Sequence, residues 1–322
     1  MEGPIQIGTE RRVRGVREKA MRVDPFYVSN LVGSLDQTQA TQQQLTAELS
    51  SGVRINSLSD DPVAAGQNVV LLNEIQKDDS FTSSSNMVTG QLQIADSALG
   101  SVVSQLNSAI SLATSANNGT MNSSNLKSIG TQISGILDEV QSLANSSYQG
   151  QYIFAGSRTS TAPFTSDTST TPATTTYNGD TQINYIETPS GQQIQLNVPG
   201  NTIFAGTGTN SVFAALNGLV ADYSSGTVNT QQAVTDTESL NTALNYVSQQ
   251  RVTIDNSITQ VTSAADAVSN EQAQLTTTQT NLMQADVGTV STQLSLAESQ
   301  QTALESVIAQ LGSATNSLFS KM

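Results

Sequence analysis

From Leu240 to Leu282 thirteen positions follow one another at alternating spacings of four and three: Leu240, Leu244, Val247, Arg251, Ile254, Ile258, Val261, Ala265, Val268, Gln272, Leu275, Gln279 and Leu282. Ten of them are apolar, and the alternation never slips. A repeat that averages 3.5 residues keeps one narrow stripe facing a partner helix, so this segment is expected to be a single helix packed along its length on another. At 1.5 Å per residue it spans about 64 Å.

A second seam, Val287, Val290, Leu294, Ala297, Gln301, Leu304, Ile308, Leu311, Thr315 and Leu318, predicts another helix of about 48 Å. Near the other end Leu31, Leu35, Thr38, Gln42, Leu45 and Leu49 repeat the spacing. Gly52 then supplies a helix stop, because glycine takes positive φ without a Cβ clash. Residues 31–49 and 287–318 are rich in Gln, Ser and Thr and nearly lack opposite charges four apart, so isolated in water they are expected to be marginal and to fold on assembly. From Pro62 to about Thr114 the pattern stays helical, with Leu92, Ala95, Leu99, Val102, Leu106 and Ala109 as its seam, and Asn117-Asn118-Gly119 breaks it. Leu126, Ile129, Ile133, Ile136, Val140 and Leu143 form one more seam, ending near Tyr148-Gln149-Gly150.

Between 150 and 228 Thr, Pro and Gly rise and the apolar period becomes two, as in "TQINYIE" and "QQIQLNV". These read as strands joined by a turn at Thr188-Pro189-Ser190-Gly191. Asn178-Gly179 reads as a second hairpin signal. "STAPFTSDTSTTPATTT" reads as an exposed mobile loop, and "GTGTNS" at 206–211 as a loop without the further glycine and βαβ context of a dinucleotide site. The sequons at Asn118, Asn122 and Asn145 are what a chain rich in Asn and Ser yields by chance. The expected fold class is therefore mainly α: a long antiparallel helical coiled-coil bundle formed by both termini, with a smaller β-rich inserted middle domain. Residues 21–149 and 229–322 supply its two halves and 150–228 the outer domain.

The chain holds no Cys, His or Trp among 322 residues, which removes thiolate and imidazole chemistry and the usual zinc ligands. No catalytic, cofactor or metal site is expected. A formal net charge of -14 disfavours nucleic acid and anionic membrane as partners. Five of the twelve Lys and Arg residues sit in "RRVRGVREK" at 11–19. No apolar run of signal-peptide length follows, so residues 1–20 read as an unstructured or wrongly assigned extension ahead of Met21.

The sharpest local punctuation is "LSSGVRINSLSDDPVAAG" at 49–66. Asp61 reads as an N-cap whose carboxylate accepts from free amides of the next helix, Pro62 suits the first helical position, and Asp60 adds favourable charge at the positive helix end. That reading makes the carboxylate pair a device that turns the chain.

This loop after an N-terminal helix, together with "QADVGTVSTQLSLAESQQTALESVIAQLGSATNSLF" at the other end, resembles the paired terminal segments of the bacterial flagellin superfamily. "MRVDPFYV" at 21, "GQYIFAGSRTSTAPF" at 150–164 and "YNGD" at 177 resemble its hook-associated type-three branch, the hook-filament junction family. Val53 stands where that family commonly has lysine, and Leu58 where proline is frequent. The resemblance covers residues 21–322. It implies a non-enzymatic adaptor on which the flagellin filament assembles, exported unfolded without a Sec signal and extracellular in the flagellum.

Its implied partners are copies of itself in a helical axial array, the other junction protein, flagellin or the filament cap, and an export chaperone at the C-terminal helix. Arg54, Asn56, Asp60, Asp61 and Pro62 become a subunit-contact turn. Leu31, Leu35, Leu45, Leu49, Leu294, Leu304, Ile308, Leu311 and Leu318 become an assembly seam. The nearest alternative is a flagellin filament subunit; an exported adhesin or enzyme on a flagellin-like frame is the alternative of another class.

Overall fold

The computed structural model describes residues 25–117, 120–170, 173–205, 211–227 and 229–319. The expected extension at 1–20, Asn118-Gly119 of the helix break and most of the "GTGTNS" loop lie outside them. Among the described residues six helices dominate: α1 (Pro25–Ser51), α2 (Pro62–Ala116), α3 (Ser123–Ala144), α4 (Val212–Ser224), α5 (Thr230–Met283) and α6 (Val287–Phe319). Six short strands pair as three antiparallel hairpins: β1 (Ser147–Tyr148) with β2 (Gln151–Tyr152), β3 (Phe164–Asp167) with β4 (Thr174–Tyr177), and β5 (Tyr185–Glu187) with β6 (Gln193–Gln195). The described residues divide into two compact units, one within 25–68 and 280–319, the other within 69–279.

In the 69–279 unit, α5 buries Leu240, Val247, Ile254, Val261 and Val268 completely or nearly so, one residue in every seven. The intervening seam positions Leu244, Arg251, Ile258 and Ala265 are half-buried. This alternation of deep and shallow positions is the mark of supercoiled helix packing. α2 runs antiparallel to α5. Asp96 pairs with Arg251, whose Nε and Nη2 donate to Oδ1 at 2.5 Å and Oδ2 at 3.2 Å, and 17 residues earlier on α2 Asp79 accepts from Gln272. On α2 all six expected seam residues from Leu92 to Ala109 are buried. On α3 burial follows Leu126, Ile129, Ile133 and Val140 as expected, but Leu137 and Ala144 are deeper than Ile136 and Leu143. α3 packs on α4 as well as on the coil, and a helix with two neighbours needs a stripe wider than one seam.

Hydroxyl groups do not interrupt these helices. Ser84, Ser101, Thr114, Thr131 and Thr259 each donate to the carbonyl four residues earlier, at 2.8–3.1 Å. A polar composition is thus compatible with long helices, because hydroxyls such as these find their acceptors locally.

The middle segment departs from expectation in three places. The Ser160–Thr176 stretch, read as a mobile loop, contains the β3–β4 hairpin, registered Phe164 to Tyr177 and Asp167 to Thr174. Phe164 explains it: the ring is 2% exposed and lies 4.9–5.4 Å from Phe204, Phe213 and Tyr177. One anchored aromatic fixes a strand whose other residues are Thr, Ser and Asp. Asn178-Gly179 is not a hairpin turn, since Asn178 N–H donates back to Pro163 O at 2.8 Å and simply extends the β3–β4 ladder. Finally, α4 is a helix inside the stretch expected to be strand. Ser211 caps it by accepting from Ala214 N–H at 3.2 Å, and it buries Phe213, Leu216, Leu219 and Tyr223. The expected β5–β6 hairpin forms around the Thr188–Gly191 turn.

Four of the seven phenylalanines, Phe154, Phe164, Phe204 and Phe213, share this one cluster. Phe204 sits at its centre on a short π-helical turn, Asn201–Ala205. Phe204→Ala is expected to cost about 3–5 kcal/mol, measured by urea unfolding followed through tyrosine fluorescence.

Between α4 and α5, burial together with the nearby Asp236 pushes the Asp222 carboxyl up to about 6. Its Oδ2 is buried with no hydrogen-bond partner. A carboxyl whose folded value lies above its unfolded one stabilises the fold most when protonated, and that contribution is lost as pH rises from about 4 to about 6. Asp222→Asn is expected to flatten the fall in melting temperature over this window; an unchanged pH profile would contradict the assignment.

Candidate functional site

The turn between α1 and α2 is built from short polar side chains that stand in for backbone. Gly52, at φ +68°, closes α1 by donating its N–H to Glu48 O at 2.8 Å. A β-carbon there would be strained. The chain then runs antiparallel along the α5–α6 connection. Ala285 N–H donates to Gly52 O at 3.0 Å, Val53 bridges Gln284, and Arg54 N–H donates to Met283 O at 2.7 Å. Ile55, 6% exposed, is the apolar anchor of the turn.

Each carboxylate is fully employed. Asp60 Oδ2 accepts from the N–H groups of Asn56 at 3.0 Å and Ser57 at 2.8 Å, and its Oδ1 accepts from Ser57 Oγ at 2.8 Å. Asp61 Oδ1 accepts from Ala64 N–H at 3.0 Å, so it caps α2 with Pro62 at the first helical position. Arg54 ties both helix ends together: Nη1 pairs with Asp61 Oδ2 at 3.3 Å, while Nη2 donates to Leu282 O at 3.4 Å, one of the free carbonyls ending α5. Asn56 Nδ2 donates to Val53 O at 3.1 Å. The same solution recurs at α6, where Asp286 accepts from Gly288 and Thr289 N–H at 3.0 and 3.2 Å.

These bonds hold the acids ionised. The Ser57 hydroxyl and amide lower the Asp60 carboxyl below its ordinary value, the Ala64 amide and then Arg54 lower that of Asp61, and the Thr289 amide lowers that of Asp286. Such groups are suited to fixing geometry and poorly suited to carrying protons at neutral pH. Among the described residues no group of three or more acidic side chains is placed to hold a metal ion, and no helix is long and apolar enough to cross a membrane.

The structure brings Arg54, Asn56, Asp60, Asp61 and Pro62 together in this one turn, all but Asp61 exposed. The leucine seam is more dispersed. Leu45 is buried and packs with Ala285, Val290, Ala297 and the half-buried Leu294, joining α1 to α6. Leu31, Leu35, Leu304, Ile308 and Leu311 are half-buried, and the side chain of Leu318 lies outside the described residues. Leu49 faces outward at 37% exposure. Glu48 is buried in its stead and accepts from Gln44 Nε2 at 3.1 Å. After Leu45 the contact stripe steps by three residues to Glu48, and the spacing alone gave no sign of a carboxylate there.

A second knot explains the "GQYIFAGSRTSTAPF" and "YNGD" motifs. Asp180 accepts from Ser157 N–H at 2.8 Å, from Gln182 N–H at 3.0 Å and from the Ser157 hydroxyl. The Tyr177 hydroxyl lies 2.9 Å from Phe154 O and 2.8 Å from Asp180 O. Gly156, at φ +69°, leaves the space that the Asp180 carboxylate fills. Asn145, dismissed as a chance sequon, pairs with Phe164 through both ends of its amide, at 2.9 Å each, and Asn122 caps α3. An asparagine just past a helix end was the available signal.

Residues 27–159 match the family described as the bacterial flagellin N-terminal helical region. Over 140 residues the chain is 34% identical to flagellar hook-associated protein 3 of Salmonella typhimurium, covering 43% of this chain and 44% of that one. The aligned part therefore spans less than half the length of the curated relative. Among solved structures the chain resembles a Vibrio parahaemolyticus protein assigned as flagellar hook-associated, with TM-score 0.63 and 18% identity over 70% of this chain and 100% of the other. It also resembles the flagellar junction protein FlgL of Legionella pneumophila, with TM-score 0.54 and 14% identity over 68% and 100%. At these identities the structural likeness speaks for the fold.

Over its N-terminal part the chain is thus similar to the flagellin superfamily. Its sequence relatives there are hook-associated proteins.

Asp61→Ala is expected to speed amide exchange at Ala64 while Asp61→Ser, which keeps an acceptor, largely restores it; residue-resolved hydrogen exchange reads both. Because the Asp60, Asp61 and Asp286 values are lowered, their contribution is complete above the unfolded carboxylate range and is lost as pH falls below about 4. Exchange at Ser57, Ala64 and Thr289, corrected for intrinsic rate, should rise together in that acid window.

Proposed function

We propose that this chain is a structural adaptor of the bacterial flagellum, at the hook-filament junction, on which the flagellin filament assembles. The observation that carries the reading is the composition of the α1–α6 pair. Its buried cluster is only Leu45, Ala285, Val290 and Ala297, yet Phe26, Tyr27, Val28, Val32 and Leu49 on α1 and Val287, Leu296 and Val307 on α6 stay exposed. Helices with so much uncovered apolar edge are suited to contact with further subunits. Contacts of head-to-tail type build an open helical array, whereas self-complementary ones close into dimers.

In this role the half-buried seam at Leu31, Leu35, Leu304, Ile308 and Leu311, continued in sequence by Leu318, completes its packing between copies. The exposed turn at Arg54, Asn56, Asp60 and Pro62 touches a neighbour. One end of the array meets the other junction protein and the opposite end meets flagellin or the filament cap. An export chaperone holds α6 before assembly, the protein leaves the cell without a Sec signal, and it carries no catalytic activity. The name of the Salmonella relative and the "MRVDPFYV" and "YNGD" motifs favour this over a filament subunit.

Deleting the gene is expected to leave intact hooks without filaments and flagellin shed into the medium. Normal filaments would overturn the proposal, and purified chain that polymerises alone into long filaments would favour the flagellin reading. Leu304→Pro, which removes a helical amide at a cost of about 3 kcal/mol or more, is expected to abolish incorporation and swimming.

A further inference from the structure

Upstream of the apolar seam that starts at Leu92, α2 turns a polar stripe inward. Asp78 and Ser85 are only 3% and 1% exposed, and Asp78 Oδ2, Thr82 Oγ1 and Ser85 Oγ have no hydrogen-bond partner. Their spacing of four and three puts them on one face. The contrast with the outer face is instructive: Ser80 and Ser84 donate to Gln76 O and Ser80 O, both at 2.8 Å. The buried hydroxyls leave that local option unused.

The antiparallel register fixed by Asp79 with Gln272 and Asp96 with Arg251 sets Glu271 of α5 beside Asp78, and Ala264 to Val268 at the level of Thr82 and Ser85. The β5–β6 turn stands over this level. It leaves an open groove of about 840 Å³ against Lys77, Phe81 and Ser84 of α2, and another of about 430 Å³ against Ala264, Val268 and Glu271 of α5. Solvent thus reaches the flanks of the stripe from both sides. The charges around Asp78 are Glu74, Lys77 and Asp79 on α2, Glu271 on α5, and Glu187 on the hairpin, which lines the first groove together with Lys77.

We propose that Asp78, Thr82 and Ser85 form a proton-operated soft layer in the α2–α5 coil. An ionised Asp78 needs donors that the helices do not supply, so water enters from the grooves and the layer opens locally. A protonated Asp78 can donate its own hydrogen to the Glu271 carboxylate, and the layer closes. The direction agrees with the surroundings: burial first, then Glu271, Glu74 and Asp79, push the Asp78 carboxyl up, and Lys77 opposes them. Because the folded value is raised, closure is complete at low pH and is lost as pH rises through it. The inference does not depend on the flagellar reading.

Hydrogen exchange of the full chain at pH 4 and pH 8, corrected for intrinsic rate, tests it. Amides in 76–90 are expected to lose protection severalfold at pH 8 while those in 95–110 hold theirs. Asp78→Asn should abolish that difference. Asp78→Leu should raise protection in 76–90 at pH 8 by about tenfold, since an apolar side chain removes the unmet demand for donors. Equal protection of wild-type 76–90 at both pH values overturns the proposal. A pH response that survives Asp78→Asn does so too, and so does a Leu variant less protected than wild type. Exchange in 212–224 reports separately on Asp222, so the two titrations are told apart.

Discussion

The seven-residue rhythm of deep burial along α5 governs the 69–279 unit. Leu240, Val247, Ile254, Val261 and Val268 each face α5's neighbours at the same angle, which holds only when the helices supercoil and stay in register. The Arg251–Asp96 pair fixes that register at one level. Gly100, one turn along α2 from Asp96, keeps the face beside the guanidinium clear. With only 4% aromatic residues, a chain of this length has few ways to fill a wide core, and a narrow seam of Leu, Val, Ile and Ala demands little volume. The β3–β4 hairpin and α4 meet at the cluster that holds four of the seven phenylalanines.

Lacking His, Cys and Trp, the protein uses Asn, Asp and Ser as surrogate backbone. Asn145 completes a strand edge beside Phe164, and Asn197 does the same for the segment at 182–184, accepting from Asn184 N–H at 2.7 Å and donating to Gln182 O at 3.0 Å. Asp60, Asp61, Asp180 and Asp286 each gather amide or hydroxyl donors where the chain reverses or a helix begins. Carboxylates in this condition resemble a reactive cluster in sequence. In three dimensions their lone pairs are already occupied, and what they supply is the direction in which the next helix leaves.

In the proposed adaptor role, α1 and α6 pair through few buried residues while exposing an apolar edge, and the coil of α2, α3 and α5 is well packed along the seam from Leu92 to Ala109. In that role the two ends, expected from their composition to be marginal alone, order on assembly, where the ordering cost is met by contacts made only there. The buried Glu48 and the orphaned Gln42 amide keep that pair from being a purely apolar zipper.

Helix positions, the α2 seam, the turn at 52–61 and its Asp61 cap were legible in the sequence because each rests on local signals: apolar spacing, a glycine stop, an acid before proline. The Thr188–Gly191 hairpin belongs with them. Tertiary structure alone decided that Ser160–Thr176 is a hairpin, since its strand character comes from Phe164 meeting rings 40 to 50 residues away in sequence. It also decided that Val212–Ser224 is a helix, that Asn145 is a structural pairing group, and that Glu48 rather than Leu49 faces α6. In each case the deciding partner lies far along the chain, where periodicity and composition carry no information about what a side chain will meet.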